Sequence, residues 1–254
     1  MKLTEKIFWE NFWNTLSLPV NVNYKFNNDR AIANTIKKYI PNGNFTKTAI
    51  EIGCAPGKWL TFFIKELNYN VTGMEYLESA VQKTVENMNI TGIPREQYEI
   101  IPCDFLNFSS SRKYDVVYSL GFLEHFSNWE NVFDKHLELC MGGYVVISFP
   151  NFNGINYIFQ KIIDKYLKYP LLPNHNLKIM NLHSLVKYAK KRGLSVCFCD
   201  YIGGFEPALF NTDVIRNKII YFLLVKSKHL FTRLFGHFNT VMTSSYIIFI
   251  FKKS

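Results

Sequence analysis

Ala49-Ile50-Glu51-Ile52-Gly53-Cys54-Ala55-Pro56-Gly57-Lys58-Trp59 is the most informative stretch of this chain. Residues 48–53 are apolar or β-branched almost throughout and read as a strand, while 58–67 carry apolar residues at helical spacing. A strand that passes into a helix through glycines is the setting of a ligand-cradling loop. Gly53 and Gly57, with the small Ala55 between them, allow a sharp turn and a close approach of backbone to ligand. Free N–H groups at the start of the helix are then expected to face that ligand. The spacing is not that of a dinucleotide loop. G-x-G-x-x-G would need glycine at 53, 55 and 58, where the chain has Gly53, Ala55 and Lys58. An acid at the strand end, Glu51, suits a cation better than a pyrophosphate.

On either side of this turn the pattern repeats. Strands are predicted at 48–53, 70–74, 98–102, 114–119 and 143–149, with helical periodicity at 58–67, 78–88 and 132–139 between them. Asp115-Val116-Val117-Tyr118 and Tyr144-Val145-Val146-Ile147 are apolar on both faces, the mark of parallel strands covered by helices. The expected fold is a doubly wound α/β domain. Two helical pieces before Pro41-Asn42-Gly43 form a cap over 1–43, the alternating core occupies 44–151, and 152–254 supplies a substrate-side lid and the last two strands, all within one domain. Residues 151–181, with Gly154, Pro170 and Pro173, read as an insertion; a helix at 182–192 and strands at 194–200 and 245–251 follow.

Four further elements extend the first motif. Glu75, in Gly73-Met74-Glu75-Tyr76, ends the second strand, where an acid accepts hydrogen bonds from ribose hydroxyls. Ile101-Pro102-Cys103-Asp104-Phe105 ends the third, Tyr118-Ser119-Leu120-Gly121-Phe122-Leu123-Glu124-His125 the fourth, and Gly142-Gly143-Tyr144-Val145-Val146 opens the fifth. Together these resemble the class I S-adenosylmethionine-dependent methyltransferases, whose first motif is E/D-x-G-x-G/A-x-G. Alanine replaces the middle glycine here, a change that family tolerates. The resemblance implies a Rossmann-like seven-stranded sheet whose last strand is antiparallel, and S-adenosylmethionine as cofactor. It assigns cofactor contacts to Glu51, Gly53, Cys54, Ala55, Gly57, Glu75, Tyr76, Asp104, Phe105 and Ser119. Tyr76 would lie against the adenine, Asp104 would take its amino hydrogen, and Phe105 would offer a backbone N–H.

Methyl transfer to oxygen or nitrogen releases a proton, which a histidine is suited to accept. His125, just past the fourth strand, and His175, in the insertion, are the candidate catalytic residues. Glu124 is a weaker one, and His136, His183, His229 and His237 read as structural or surface residues. No metal site is expected.

The 254 residues are 48% hydrophobic and 17% aromatic, which excludes global disorder. No apolar run approaches the ~18 residues of a membrane span, and the start carries no apolar signal segment, so a cytoplasmic protein is expected. Five cysteines without C-x-x-C spacing read as buried thiols in a reducing compartment, with Cys197 and Cys199 on one face of a strand. The net charge of +9 favours an acidic partner. After the fourth strand there is no Asp/Asn-Pro-Pro-Tyr/Phe, and dense Lys/Arg runs are absent, so nucleic acid is not the expected substrate. A small, anionic or phosphorylated acceptor, such as a glycan precursor or a secondary metabolite, is. A nucleic-acid or lipid-linked substrate, or cofactor binding without catalysis, is the alternative. In 213–238, at ~100° per residue, Ile219, Ile220, Leu223, Leu224, Leu230, Phe231, Leu234 and Phe235 share an apolar arc opposite Lys218, Lys226, His229 and Arg233. This predicts a lid helix packed by its arc on the core, with peripheral contact to anionic lipid as a second use.

Overall fold

The computed structural model describes residues 2–14, 16–167, 170–206 and 215–254. Its seven strands are β1 (Thr48–Ile52), β2 (Asn70–Glu75), β3 (Tyr98–Pro102), β4 (Tyr114–Leu120), β5 (Cys140–Pro150), β6 (Ser195–Ile202) and β7 (Tyr246–Lys252). They form one sheet in the order β3-β2-β1-β4-β5-β7-β6. The first five strands run parallel, and β7 lies antiparallel between β5 and β6. The order reverses between β1 and β4, which opens a crevice at their carboxyl ends.

Alternating side chains of the central strands feed two separate cores. Ile50, Ile52, Val117, Ile147 and Phe249 pack with Phe133 of α5 (Trp129–Leu139) and Leu185 of α7 (Leu182–Lys191). Ala49, Val116, Tyr118, Val146 and Ile248 pack on the opposite face with Ile32 and Ile36 of α2 (Asn27–Tyr39) and Leu60 and Phe63 of α3 (Lys58–Leu67). This is the doubly wound arrangement that the two-sided apolar strands predict. Phe63 stacks on Tyr118 with ring centroids 4.2 Å apart, joining helix to sheet beneath the glycine loop.

Three details depart from the sequence reading. A register shift between Val196 and Phe198 inserts a bulge at Cys197, so Cys197 packs with the α2/α3 core and Cys199 with the α5/α7 core. The two thiols therefore lie on opposite faces; all five cysteines are free, and only Cys54 and Cys140 are buried. The expected lid helix spans Lys218–Phe235 (α8), while 213–214 of the expected segment lie outside the described residues. Its apolar arc is divided. Ile220, Leu224, Phe231 and Phe235 pack against Phe159 and Ile163 of α6 (Gly154–Asp164), whereas Ile219, Leu223, Leu230 and Leu234 face outward. Over the crevice lies instead α1 (Lys6–Asn14), with Phe8, Trp9, Phe12 and Trp13.

Phe63 is fully buried, so Phe63→Ala removes a large side chain from a site with no room to collapse. A loss of about 3–5 kcal/mol is expected in urea unfolding monitored by circular dichroism.

Candidate active site

The crevice is a cavity of about 680 Å³, within the usual range for a small-molecule site. One wall is the loop between β1 and α3. Gly53 has φ 73°, and a Cβ there would stand 2.8 Å from the Phe122 ring, so both its backbone and its space demand glycine. Gly53 N and Cys54 N both donate to Met74 O (2.9 and 3.1 Å), and Gly57 N donates to Cys54 O (2.7 Å). These N–H groups hold the loop itself together. Gly57, with φ 89°, caps α3 from behind the cavity wall.

Three carboxylates stand along the rim. Glu51 is 3% exposed, lines the cavity, and leaves Oε2 without a hydrogen-bond partner. Burial pushes its carboxyl well above the ordinary range, against the opposing pull of the Tyr118 hydroxyl and the Lys58 charge. Glu75, at the end of β2, is buried with Oε1 held by the N–H groups of Tyr76 (2.9 Å) and Leu77 (3.1 Å). Burial raises its pKa also. Asp104 caps a short turn after β3: Oδ1 accepts from Leu106 N (3.1 Å) and Oδ2 pairs with Lys2 (2.7 Å). Lys2 Nζ also stands 4.7 Å over the Tyr76 ring. A buried acid with an open oxygen at the first strand, and a second acid fixed by backbone donors at the next, fit a ligand that is cationic at one end and carries hydroxyls further along.

The opposite wall is the 3-10 turn Leu123–His125 with part of the insertion. His125 Nδ1 lies 2.9 Å from Asn174 O and 2.8 Å from Thr4 Oγ1, and Thr4 Oγ1 donates to Asn174 O (3.0 Å). His175 Nδ1 lies 2.6 Å from Leu171 O. A carbonyl only accepts, so Nδ1 of each ring carries the hydrogen and Nε2 presents a lone pair. The rings are 4.5 Å apart. Burial lowers His125 well below the usual imidazole range and His175 to about 4, and lifts Glu124 to about 8.

Of the sequence-predicted residues, Glu51, Gly53, Cys54, Ala55, Glu75, Tyr76, Asp104, Phe105, His125 and His175 line one cavity. Gly57 and Ser119 do not. Ser119 is fully buried with Oγ 3.1 Å from His136 Nε2, and burial of that imidazole lowers it to about 4. No described residue of α8 lines the cavity. Lys2, Thr4 and Trp9, whose ring meets that of His125 edge-on at 4.8 Å, are site residues that periodicity cannot show. Five carboxylates (Asp29, Glu51, Glu75, Asp104, Glu124) and two lysines (Lys2, Lys58) line the wall, so the positive excess of the chain lies elsewhere.

Residues 24–197 match the family model described as a methyltransferase domain. No curated protein sequence matches the chain. Among solved structures, the fold is similar to an S-adenosylmethionine-dependent methyltransferase from Thiobacillus denitrificans in complex with S-adenosyl-L-homocysteine (14% identity, all of both chains covered, TM-score 0.59). It is also similar to geranyl diphosphate C-methyltransferase from Streptomyces coelicolor (11% identity, 88% of this chain and 78% of that chain, TM-score 0.58). A third similar structure is phosphoethanolamine N-methyltransferase 2 from Haemonchus contortus, at 15% identity and TM-score 0.59. The match covers 87% of this chain but 52% of that one. The family match, the strand order and the acidic rim converge: this chain belongs to the methyltransferase-domain family, and its fold is that of the S-adenosylmethionine-dependent methyltransferases.

Proposed function

We propose that the enzyme transfers a methyl group from S-adenosylmethionine to an oxygen or nitrogen of a small acceptor bound against Glu124, His125 and His175. The observation that carries this reading is one cavity with an acidic, backbone-braced rim on one side and two imidazole lone pairs on the other. The rim suits the cofactor: Glu51 Oε2 would receive its cationic end and Glu75 its ribose, with Tyr76, Asp104 and Phe105 around the adenine. Bound there, S-adenosylmethionine supplies an activated methyl whose carbon–sulfur bond breaks toward sulfur as the acceptor lone pair takes the carbon. The protein's part is alignment, which can contribute roughly 7–11 kcal/mol, and removal of the acceptor proton. Nε2 of His125 or His175 would receive that proton. The overall charge favours an acidic or phosphorylated acceptor. The acid-rich wall offers such an acceptor only Lys2 and Lys58, both already paired with carboxylates. Five free thiols suit a reducing cytoplasm.

Glu75→Gln keeps the shape of the side chain and removes its charge. Equilibrium dialysis of labelled S-adenosylmethionine is expected to show affinity about 10- to 100-fold below that of the unaltered protein. Unchanged uptake would exclude the rim as the cofactor site.

The outer face of α8 supports a second contact, with an anionic lipid surface. No helix among the described residues is long and apolar enough to cross a membrane. Ile219, Phe222, Leu223, Leu230 and Leu234 are each more than half exposed. Lys226 and Arg233 fall among them at ~100° per residue, the mixture that seats a helix in the headgroup region with cations toward phosphate. Co-sedimentation with phosphatidylglycerol vesicles at low salt is expected, with much weaker binding to phosphatidylcholine vesicles. Leu223→Glu should abolish it while leaving cofactor uptake intact.

A further inference from the structure

We propose that Glu124, His125 and His175 form a binding site for one divalent first-row transition-metal ion on the acceptor wall. One donor atom from each of the three lies within 4.8 Å of the others. Glu124 Oε1 is 3.8 Å from His125 Nε2, and its Oε2 is buried with no hydrogen-bond partner. Glu124 is 1% exposed, and His125 is the one basic group within 4 Å of its carboxylate among the described residues. A buried carboxylate in that position is costly unless a cation meets it.

The surroundings are those of metal-ligating histidines. Each ring has its Nδ1 hydrogen committed to a backbone carbonyl, Asn174 O for His125 and Leu171 O for His175, which fixes the rings and leaves each Nε2 with its lone pair. The insertion is bound to the turn by Asn176 N to Glu124 O (2.7 Å) and Asn176 Nδ2 to Phe126 O (3.0 Å), so the three donors are held together although 50 residues separate the two histidines. Two imidazoles and one carboxylate, with the remaining directions open to the cavity, suit Fe²⁺, Co²⁺, Zn²⁺ or Mn²⁺ and not Mg²⁺, which prefers oxygen ligands and water. The sequence gives no such expectation because no two of its histidines share a metal-ligand spacing with Glu124. Resting on the reading of this wall as the acceptor site, the ion would bind an acceptor oxygen and lower its pKa, so that its proton is lost to solvent as the acceptor binds and the histidines serve as ligands in place of direct proton acceptors. It would also give an anionic acceptor the positive charge that the wall lacks.

The test uses the full-length protein stripped with a chelator and titrated with Co²⁺. One equivalent is expected to bind with visible d–d absorption, and Zn²⁺ to displace it. His175→Ala should abolish the absorption. Glu124→Gln should weaken Co²⁺ binding by about tenfold or more. It should also leave the fold about as stable in thermal unfolding, because glutamine keeps the shape of the side chain. Uptake of S-adenosylmethionine is measured on the same samples and should be unchanged by stripping. No Co²⁺ absorption, or absorption unaffected by both substitutions, overturns the metal site while retained cofactor uptake leaves the methyltransferase reading standing. Loss of cofactor uptake in the unaltered protein would instead strike at that reading.

Discussion

The parallel pairing of β1 with both β2 and β4 is the constraint from which the site follows. It sets Glu51 opposite Gly73 on one side and Tyr118 on the other, and brings Glu75 to the same rim. The register is fixed by burial on both faces: Ile50 and Ile52 belong to one core, Ala49 to the other. A slip of one residue would send each set into the wrong core and carry the acids off the rim. Gly73 completes the fit, since a Cβ there would meet Cys54 Sγ at 2.6 Å and push the glycine loop away from β2.

The cavity built on that register is charged against its protein. In a chain with nine more basic than acidic side chains, carboxylates outnumber lysines on the pocket wall by five to two, and three of them are buried with raised pKa. Unpaired buried acids lower stability, and proteins hold them where a ligand offsets the cost. The two ends of the cavity divide that burden. Glu51 and Glu75 stand at the end proposed for the cofactor, and Glu124 stands with the two imidazoles at the end proposed for the acceptor. The N-terminal segment spans both, with Lys2 on Asp104 and Thr4 on His125. The aromatic α1 thereby shields the pocket from water, which strengthens the interactions inside.

Much of this was legible in the chain as written. The bounds of α3 and β3 match their predicted limits, because Lys58–Leu67 has one apolar stripe and Tyr98–Pro102 is a short run between turns. Nine of the assigned site residues meet in one cavity because strand ends converge at the switch point whatever the details of packing, and His175 joins them from the insertion. Ser119 and Gly57 did not join them: alternation turns Ser119 toward His136, and Gly57 serves the cap of α3. The bulge at Cys197 and the two-sided apolar surface of α8 were hidden, since an inserted residue and a split arc depend on which neighbours come to pack there.

The sequence alone determined the alternation of strand and helix, the glycine turn and the acids at the strand ends. These are local matters of periodicity, steric freedom and position along a strand. Tertiary structure decided which face of α8 is covered, that α1 roofs the pocket, and that Glu124 and His125 meet His175. Contacts between residues far apart in the chain arise only when separate elements are pressed against the same sheet, and no local spacing encodes them.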